Sequence, residues 1–573
     1  MSGTANGHLD HLTDAELGSV TVTPSDNIVV GSYGTYTITY TVGTYGLDVG
    51  GGLKIGTRRM SDWGTPQFDD PQAPNYVTVN CSTDSTLSVR YETRGHIRPF
   101  RAVIIVDLLK WALYPGDQVS IFLGDRSGGS RGMLSQSFPE SICEFAVFVD
   151  ALSSGVYIRV PQTSPPVSVV SGPAVTFSIQ VPSNAVVNEP FSVKINGCDR
   201  YGNPTACESG NLFICADEEI PANLNVDHGR VRWIDDITIG RAGVHVLELH
   251  RENQVLARSN PIRVSDQQPG NNLYWGDTQA QTASTVGAGT VEEYFTYARD
   301  IAGIDFCTHQ GNDFMVSDAA WDENVHGTKQ FHEPGRFVTF LGYEWSGTAG
   351  AGGDRNVLFR GDKGVVYRSS SWQLPVADAA SEKPTASAVH QALTEFAAKH
   401  NEKAILIPHV GGRRADIDSV NPELEPVIEI CSCHGIFEWY LQEALAKNIK
   451  VGVLGASDDH TCRPGLAFPS TPEMAVQGGL GAVYAKDLTR ESIFEALAAR
   501  RCYATTGQRM IVWVEADGHP MGSEFTSNQP PQIKVAVYGT SPLEEVTLFN
   551  RHKAIYTCRP NPLTRIPNCL RFL

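Results

Sequence analysis

The sequence lacks the features of secreted, membrane-spanning and zinc-finger proteins. No apolar stretch approaches the roughly 20 residues that a membrane-spanning helix needs, and Met1 to Gly18 is polar and acidic, without the apolar core of a signal peptide. The 12 cysteines include no CxxC pair, so neither a zinc finger nor a disulfide framework is indicated. We therefore expect a cytoplasmic protein with free thiols and no membrane partner.

Basic residues and nucleotide-binding loops are also scarce. Lys and Arg number 45 against 63 Asp and Glu, giving a net charge of −18, which argues against nucleic acid as a partner. Neither a GxxxxGK[ST] loop nor a GxSxG elbow occurs, so a P-loop NTPase and an α/β-hydrolase are not indicated. The composition, 41% hydrophobic and 19% charged, is that of a globular protein, and 573 residues exceed the size of one domain.

The periodicity of apolar residues predicts four domains. Residues 1–160 and 174–264 alternate apolar and polar side chains, which is typical of half-buried strands, and the Pro- and Ser-rich segment 161–173 between them is predicted as a linker. In residues 266–510 strands alternate with helices, which predicts a parallel sheet closed as a barrel. Residues 511–573 return to strands, and the tail 565–573 is predicted to lack fixed structure.

Side chains that bind divalent metals recur at the ends of apolar runs within residues 266–510. Imidazole and carboxylate groups are common ligands for such ions. Because the carboxyl ends of parallel strands meet at one mouth of a barrel, we expect these side chains to converge on one metal site. They are His309, Glu344, His409, His434 and the Asp458–His460 pair in VGVLGASDDH.

The motifs of this region resemble the PHP (polymerase and histidinol phosphatase) superfamily, and within it a large uncharacterised branch with N-terminal β domains. The resemblance rests on LYWGDTQAQT, GNDF, GYEW, GGDRN, HVGGR, SDDHTCRPG and SIFEALAARRCYATTG, between Leu273 and Gly507. It implies a distorted (β/α)7 barrel that holds divalent ions and, in many members, hydrolyses phosphoesters. The expected fold is therefore multidomain: N-terminal all-β domains, the second resembling an immunoglobulin-like sandwich, then the PHP-type barrel and a small C-terminal β segment.

The resemblance assigns a metal-ligand set residue by residue. Gln279 and Gln281 stand where the superfamily has a His-x-His pair, and Gln279 is a departure that weakens one subsite, because an amide is a poorer ligand than imidazole. The resemblance implies one to three bound divalent ions, which would be Mn²⁺, Zn²⁺ or Fe²⁺. The other implied ligands are His309, Asp313, the bridging Glu344, His409, His434, Asp458 and His460, of which Glu344, His434 and Asp458 are the expected catalytic residues.

Arginines beside these motifs indicate an anionic substrate. Guanidinium groups bind phosphate and carboxylate in a bidentate manner, although each arginine could instead pair with a structural carboxylate such as Asp354 or Asp416. Glu429, near the end of a strand, is a further candidate, either as a ligand or as a residue that supports one. The four expected substrate-binding arginines are Arg355, Arg413, Arg414 and Arg463.

Three functions fit the sequence. The leading hypothesis is a metal-dependent hydrolase of a small anionic ester, with a phosphoester as the expected substrate and a metal-activated water as the nucleophile. The same metals would serve a lactonase, amidase or lyase acting on a carboxylated small molecule. An inactive barrel serving as a binding or scaffold protein is the third, prompted by Gln279. The oligomeric state is left open, and residues 266–573 alone are predicted to keep the metal site because every candidate ligand lies there.

Overall fold

The computed structural model describes residues 13–559 except 25, 207–210, 217, 226–230, 375 and 377, together with 569–572. Strand accounts for 38% of it and helix for 13%, so β structure dominates. The chain forms two compact units, of which the first comprises Met1–Gly172, Thr285–Gly289 and Trp372–Ala377 and the second Pro173–Ser284, Thr290–Ser371 and Asp378–Leu573. Among the described helices, none combines the length and the apolarity needed to cross a bilayer. The four-domain division stays a prediction.

The first unit is built mainly from antiparallel strands. Strand Tyr36–Val42 alternates buried and half-buried residues, as its apolar and threonine positions predict. Part of the predicted linker is instead a strand, because Val167 and Val169 are buried and Val167–Val170 pairs with Glu140–Cys143. Besides the helix Asp14–Leu17, the unit contains strands Gly18–Thr23, Ile28–Val29, Tyr33–Gly34, Tyr36–Val42, Gly52–Gly56, Val77–Cys81, Thr86–Glu92, Val103–Lys110, Gln118–Leu123, Met133–Leu134, Glu140–Cys143, Ala146–Asp150, Ile158–Val160 and Val167–Val170.

The second unit begins with a β module that buries an aliphatic core. Val193, Leu247 and Leu249 are among its fully buried residues. The immunoglobulin-like topology of this module stays a prediction. Its strands are Thr176–Gln180, Asn184–Val186, Phe191–Cys198, Pro204–Thr205, Asn211–Ala216, Glu218–Asn225, Val231–Ile237, Gly243–His245, Glu248–Arg251, Gln254–Arg258 and Ile262–Ser265.

A curled sheet follows, which in the described residues has seven strands. Their order across the sheet is Ala404–Pro408, Asp354–Phe359, Val338–Ser346, Phe306–Thr308, Asn272–Asp277, Leu480–Ala485 and Cys502–Thr505. Strands Val427–Ser432, Gly435–Ile436 and Gly452–Gly455 form a separate sheet.

The predicted all-parallel sheet is wrong. Phe306–Thr308 is parallel to both of its neighbours, but the other pairs of the curled sheet are antiparallel. One reason is visible at residues 347–353, which are too few to carry a crossover helix between Val338–Ser346 and Asp354–Phe359 and therefore make a hairpin. The closed (β/α)7 barrel is not confirmed.

Helices lie between several strands of this region. Thr290 and Glu293 form a capping box at the start of Val291–Thr296, which continues as the π-helix Tyr297–Ala302. The remaining helices are Asp318–Gln330, Ala386–His400, Glu438–Ala446 and Arg490–Ala498, with short 3-10 turns at Ala349–Ala351 and Ile417–Ser419.

The C-terminal residues form further strands. The tail predicted to lack structure is ordered at Cys569–Phe572, which pairs with Ile533–Tyr538, whereas 565–568 and 573 lie outside the described residues. The strands are Ile511–Ala516, His519–Pro520, Ile533–Tyr538, Val546–Asn550, Lys553–Cys558 and Cys569–Phe572.

Candidate metal centre

Three metal-type side chains converge at one edge of the curled sheet. Potential ligand atoms of Glu344, Asp354 and His409 lie within 4.8 Å of one another, and all three residues are buried. Glu344 lies near the end of its strand, and the hairpin pairs Ser346 with Asp354 at the start of the next one. Pro408, just before His409, pairs with Arg355 on the far side of that strand. The hairpin and the strand beside it thus bring two carboxylates and one imidazole together.

Asp354 was not among the predicted ligands, although the structure places it in this cluster. A search for polar side chains at the carboxyl ends of strands passes over it, because Asp354 begins its strand. In an antiparallel hairpin the start of one strand lies beside the end of its partner. The glycine-rich sequence before Asp354, which predicts a tight turn, is the signal that could have found it.

The two glutamines of the first motif contact members of the cluster. Gln279 Nε2 lies 3.3 Å from both ring nitrogens of His409, and Gln281 Nε2 donates to Glu344 Oε2 at 3.0 Å. Among the described residues, Gln279 Oε1 has no hydrogen-bond partner although it is buried. An amide oxygen in this position is available to a hard cation.

The Asp-x-His motif lies against the same cluster. Asp458 Oδ2 is 3.2 Å from His434 Nε2, and His460 donates from Nδ1 to the Asp458 carbonyl at 2.7 Å, which leaves its Nε2 as the ligand atom. A Cβ added at Gly411 would lie 2.5 Å from Asp458 Oδ2 and 3.0 Å from His409 Nδ1. Asp458 and His409 therefore face one point. Asp458 also holds a left-handed φ of 51°, a strained conformation that is frequent at functional sites.

The carboxylates of the centre are electrostatically crowded. Burial, together with the nearby carboxylates of Asp354 and Asp458, raises the pKa of Glu344 well above its usual value, and burial raises the pKa of Asp354 to about 7 despite the adjacent Arg413. Burial alone would also raise the pKa of Asp458, but the imidazole of His434 holds it below its usual value. A divalent cation bound here would displace protons from these groups and relieve their repulsion.

His309 and Asp313 have different surroundings. His309 Nε2 lies 3.0 Å from Thr282 Oγ1, and its buried Nδ1 has no hydrogen-bond partner among the described residues. Burial lowers the pKa of His309 to about 4, so the ring is neutral. Asp313 accepts hydrogen bonds from the amides of Ser346 (2.6 Å) and Ser369, so it joins the end of strand Val338–Ser346 to the segment at Ser369. Neither residue belongs to the Glu344, Asp354 and His409 cluster.

Further buried polar groups lie unpaired near the centre. Asn356 is the cross-strand partner of Glu344, and neither of its amide atoms has a hydrogen-bond partner among the described residues. The same holds for Glu429 Oε2, and burial raises the pKa of Glu429 well above its usual value. Unpaired buried polar atoms are costly unless an ion, water or ligand satisfies them, so this interior fits a polar occupant.

Of the predicted substrate-binding arginines, Arg413 is the one that donates a hydrogen bond to a member of the cluster. Its Nε donates to Asp354 Oδ1 at 2.9 Å, and its terminal Nη groups have no hydrogen-bond partner among the described residues. Arg414 pairs with Glu443 and stacks on Trp439.

The guanidinium of Arg355 already has hydrogen-bond partners within the protein, so Arg355 is not retained as a substrate-binding residue. It is fully buried, and its Nε donates to Glu425 at 2.6 Å while Nη2 donates to Ser419. Neighbouring strand residues point to opposite faces, so Arg355 lies on the other side of its strand from Asp354. The assignment of individual ligands and binding residues stays a prediction.

Arg463 links residues 458–463, here called the metal loop, to the β module of the same unit. Its Nη1 donates to Asn203 Oδ1 at 3.2 Å, and its Nε donates to Thr461 at 2.8 Å. Asn203 is buried and donates to Asp199 Oδ2 at 3.0 Å. The turn at residues 199–204 (DRYGNP) therefore contacts the metal loop. Sequence reasoning missed Asn203, because nothing near it in the chain signals this long-range contact.

We expect Asn203→Leu to weaken metal binding about tenfold, as loss of an outer contact to a metal site commonly does. The change removes an acceptor from buried Arg463, so the free energy of unfolding should also fall by about 1–3 kcal/mol. Metal titration measures the first effect, and Arg200→Ala, an exposed change in the same turn, is the control. Unchanged affinity in a folded Asn203→Leu protein would show that the turn does not position the metal loop.

The chain is similar to proteins without an assigned activity. A family described as protein of unknown function (DUF3604) matches residues 275–413 and 468–537. An uncharacterised protein of Chlamydia pneumoniae is 23% identical over 566 residues, covering 88% of this chain and 85% of that protein. One from Chlamydia trachomatis is 22% identical over 553 residues, covering 88% and 84%.

One solved structure with a more specific description also matches. It is a two-domain protein of Bacteroides vulgatus described as containing a predicted PHP-like metal-dependent phosphoesterase. It is 15% identical, has a TM-score of 0.30, and covers 51% of this chain and 88% of that one. A functional proposal therefore depends on the geometry of the centre.

Proposed function

We propose that this protein is a metal-dependent hydrolase of a small anionic ester, with a phosphoester as the substrate. The observation that carries the proposal is the buried cluster of Glu344, Asp354 and His409, with Asp458 and His409 facing one point. Buried carboxylates without a full set of cationic partners are costly to stability, and such costs are characteristic of functional sites. The ordered PHP-like motifs around these residues support the same reaction class.

The donor set fits Mn²⁺, Fe²⁺ or Zn²⁺. Glu344, Asp354, His409, Asp458 and Nε2 of His460 would hold one to three ions, and Gln279 Oε1 offers a weaker oxygen ligand. When bound, such ions lower the pKa of a water molecule and polarise the oxygen of the group under attack.

Arg413 would orient the substrate, and His434 would move protons. Arg413 is anchored by Asp354 through Nε, which leaves its Nη groups to bind the anionic group. His434 is the more exposed partner of its pair with Asp458, at 17% against 3% of the side chain. Its Nε2, oriented by Asp458, is the atom where a proton can be held for the leaving group.

A substrate screen tests this proposal. The purified protein, supplied with Mn²⁺ or Zn²⁺, is assayed against aryl phosphate monoesters and diesters beside lactones and aryl amides. We expect phosphoester turnover that EDTA abolishes and that Arg413→Gln reduces at least tenfold, mainly through KM. Turnover confined to lactones or amides would move the reaction to another class, and no turnover by a metal-loaded protein would favour a binding role.

Gln279→His should increase metal affinity at its subsite by at least tenfold, because imidazole binds Mn²⁺ and Zn²⁺ more strongly than an amide. Gln279 Nε2 already lies 3.3 Å from the ring nitrogens of His409, so an imidazole at position 279 would reach an ion bound by His409. Metal titration of both proteins measures the change, with Gln391→His on the exposed face of Ala386–His400 as the control. Equal stoichiometry and affinity would place Gln279 outside the metal site.

A further inference from the structure

A cavity lies at the other end of strand Asn272–Asp277 from the metal centre. Leu273, near the start of this strand, lines the cavity, whereas Gln279 and Gln281 follow its end. The cavity has a volume of about 240 Å³, somewhat below the roughly 300–1,000 Å³ of pockets for drug-sized ligands. At about 3.3 Å per strand residue, roughly 15–20 Å separates it from the metal centre. It is therefore a separate site with room for a single ring.

Three pairs of side chains build the cavity. Asn184 and Arg263 are register partners on parallel strands, and Leu273 and Tyr484 are register partners on antiparallel strands. Residues directly opposite each other project from the same face. Ile511 and Trp513 are two residues apart on one strand, which also places them on one face. These six residues lie on strands, and Pro269, Gly270, Asn271 and Gly518, which lie between strands, also form part of the walls.

The interior has apolar and aromatic walls. Leu273, Tyr484 and Ile511 are each at most 6% exposed. Trp513 meets the Tyr484 ring edge-to-face at 5.1 Å, and the Tyr484 hydroxyl is already used, since it donates to the Val512 carbonyl at 2.9 Å. An aromatic ring is a favourable occupant of such walls.

One cation without a carboxylate partner stands at the opening. Arg263 is exposed, its guanidinium lies 5.9 Å from the centre of the Trp513 ring, and among the described residues it has no ion-pair or hydrogen-bond partner for that group. A planar guanidinium binds a carboxylate through two parallel hydrogen bonds.

We propose that this cavity binds a small monocyclic aromatic carboxylate, with the ring against Trp513 and Leu273 and the carboxylate on Arg263. Size selects one ring, the apolar walls select an aromatic body, and the guanidinium selects an anionic head. The proposal is independent of metal-dependent hydrolysis, because the two sites share no residue.

Calorimetric titration of the full-length protein with benzoate tests the proposal. We expect a dissociation constant of about 0.1–1 mM, ordinary for a ligand of about nine non-hydrogen atoms. Benzamide, which lacks the charge, and acetate, which lacks the ring, should each bind at least tenfold more weakly. Benzamide binding as tightly as benzoate, or no benzoate binding at millimolar concentration, would overturn the proposal.

Variants locate the binding. Arg263→Gln should weaken benzoate at least tenfold, and its exposed position makes loss of folding no obstacle. Arg258→Gln is the matched control, because Arg258 is an exposed arginine of the same module that pairs with Glu248, and it should leave the affinity unchanged. Benzoate that binds Arg263→Gln as well as wild type, for instance at the metal centre, would also overturn the proposal.

Discussion

Replacing Glu344 by glutamine is expected to abolish catalysis and weaken metal binding at least about 100-fold, while making the metal-free protein more stable. The amide keeps the shape of the side chain. Its oxygen can accept from Gln281, and its NH₂ can donate to the Ser346 hydroxyl, which then accepts instead of donating, so the fold should survive. The glutamine lacks the negative charge that binds a metal ion. In the metal-free protein this buried charge lowers the free energy of unfolding, so its removal should increase stability. Few substitutions of a buried residue increase stability, so this combination is diagnostic.

The gain in stability should depend on pH. Burial and the neighbouring carboxylates raise the pKa of Glu344 in the folded protein, so between its unfolded and folded pKa values the folded state binds more protons than the unfolded state. The free energy of unfolding of the metal-free protein therefore falls as pH rises through this window. Glutamine removes that decline, so the variant should match wild type near pH 4 and exceed it by about 1–3 kcal/mol at pH 8.

Urea denaturation in EDTA at both pH values measures the difference. Groups other than Glu344 titrate in both proteins, so the comparison measures the contribution of Glu344 together with its interaction with Asp354 and Asp458. Glu333→Gln, at an exposed carboxylate paired with Arg336, is the control and should change stability by less than about 0.5 kcal/mol. A Glu344→Gln protein that is less stable than wild type at pH 8 would contradict the crowding of charge described for this centre.

The fragment 266–573 is expected to lose both its stable fold and its metal, although it contains every candidate ligand. Trp275, 1% exposed, donates from its indole to Ser183 at 2.7 Å, and Asn196 donates to the Ile301 carbonyl at 2.9 Å. Removing the β module would expose Trp275 and leave buried Arg463 without Asn203. These contacts therefore predict the opposite of what the sequence alone predicts, namely that the fragment keeps the metal site.

The fragment 173–573 is the matched comparison, because it retains the β module and omits only the residues before it. We expect it to bind metal within threefold of the whole chain, whereas 266–573 should show a melting temperature at least about 10 °C lower or no cooperative transition. Circular dichroism on heating and metal titration measure both. A folded 266–573 fragment with the affinity of the whole chain would show that the β module is dispensable.

Some of the centre could be predicted from sequence, because metal-binding side chains were sought where apolar strands end. Glu344 and His409 each follow or end an apolar strand, and the structure brings them together. Asp354 broke that rule, since the rule assumed parallel strands and Asp354 begins the second strand of a hairpin. The short connection at residues 347–353 was the evidence against a parallel pair.

Other features depend on contacts that no local pattern contains. Arg355 and Arg413 both flank motifs, yet Arg355 is bound by Glu425, 70 residues away, and Arg413 by Asp354, 59 residues away. Arg355 faces away from Asp354 because of the alternation of its strand, whose register is fixed only in the folded sheet, whereas Arg413 lies in the loop after strand Ala404–Pro408. Asn203 lies 260 residues from Arg463, and its role follows from the packing of a β module against the metal loop.

The metal content of the purified protein tests the central claim most directly. Elemental analysis after dialysis is compared for wild type, His409→Ala, Asp458→Ala and His326→Ala, an exposed histidine on helix Asp318–Gln330. We predict at least one divalent ion per chain in wild type and in His326→Ala, and background metal in His409→Ala and Asp458→Ala, with circular dichroism showing that all four proteins are folded. Full metal content in both His409→Ala and Asp458→Ala, or none in wild type after incubation with Mn²⁺ or Zn²⁺, would contradict the assignment.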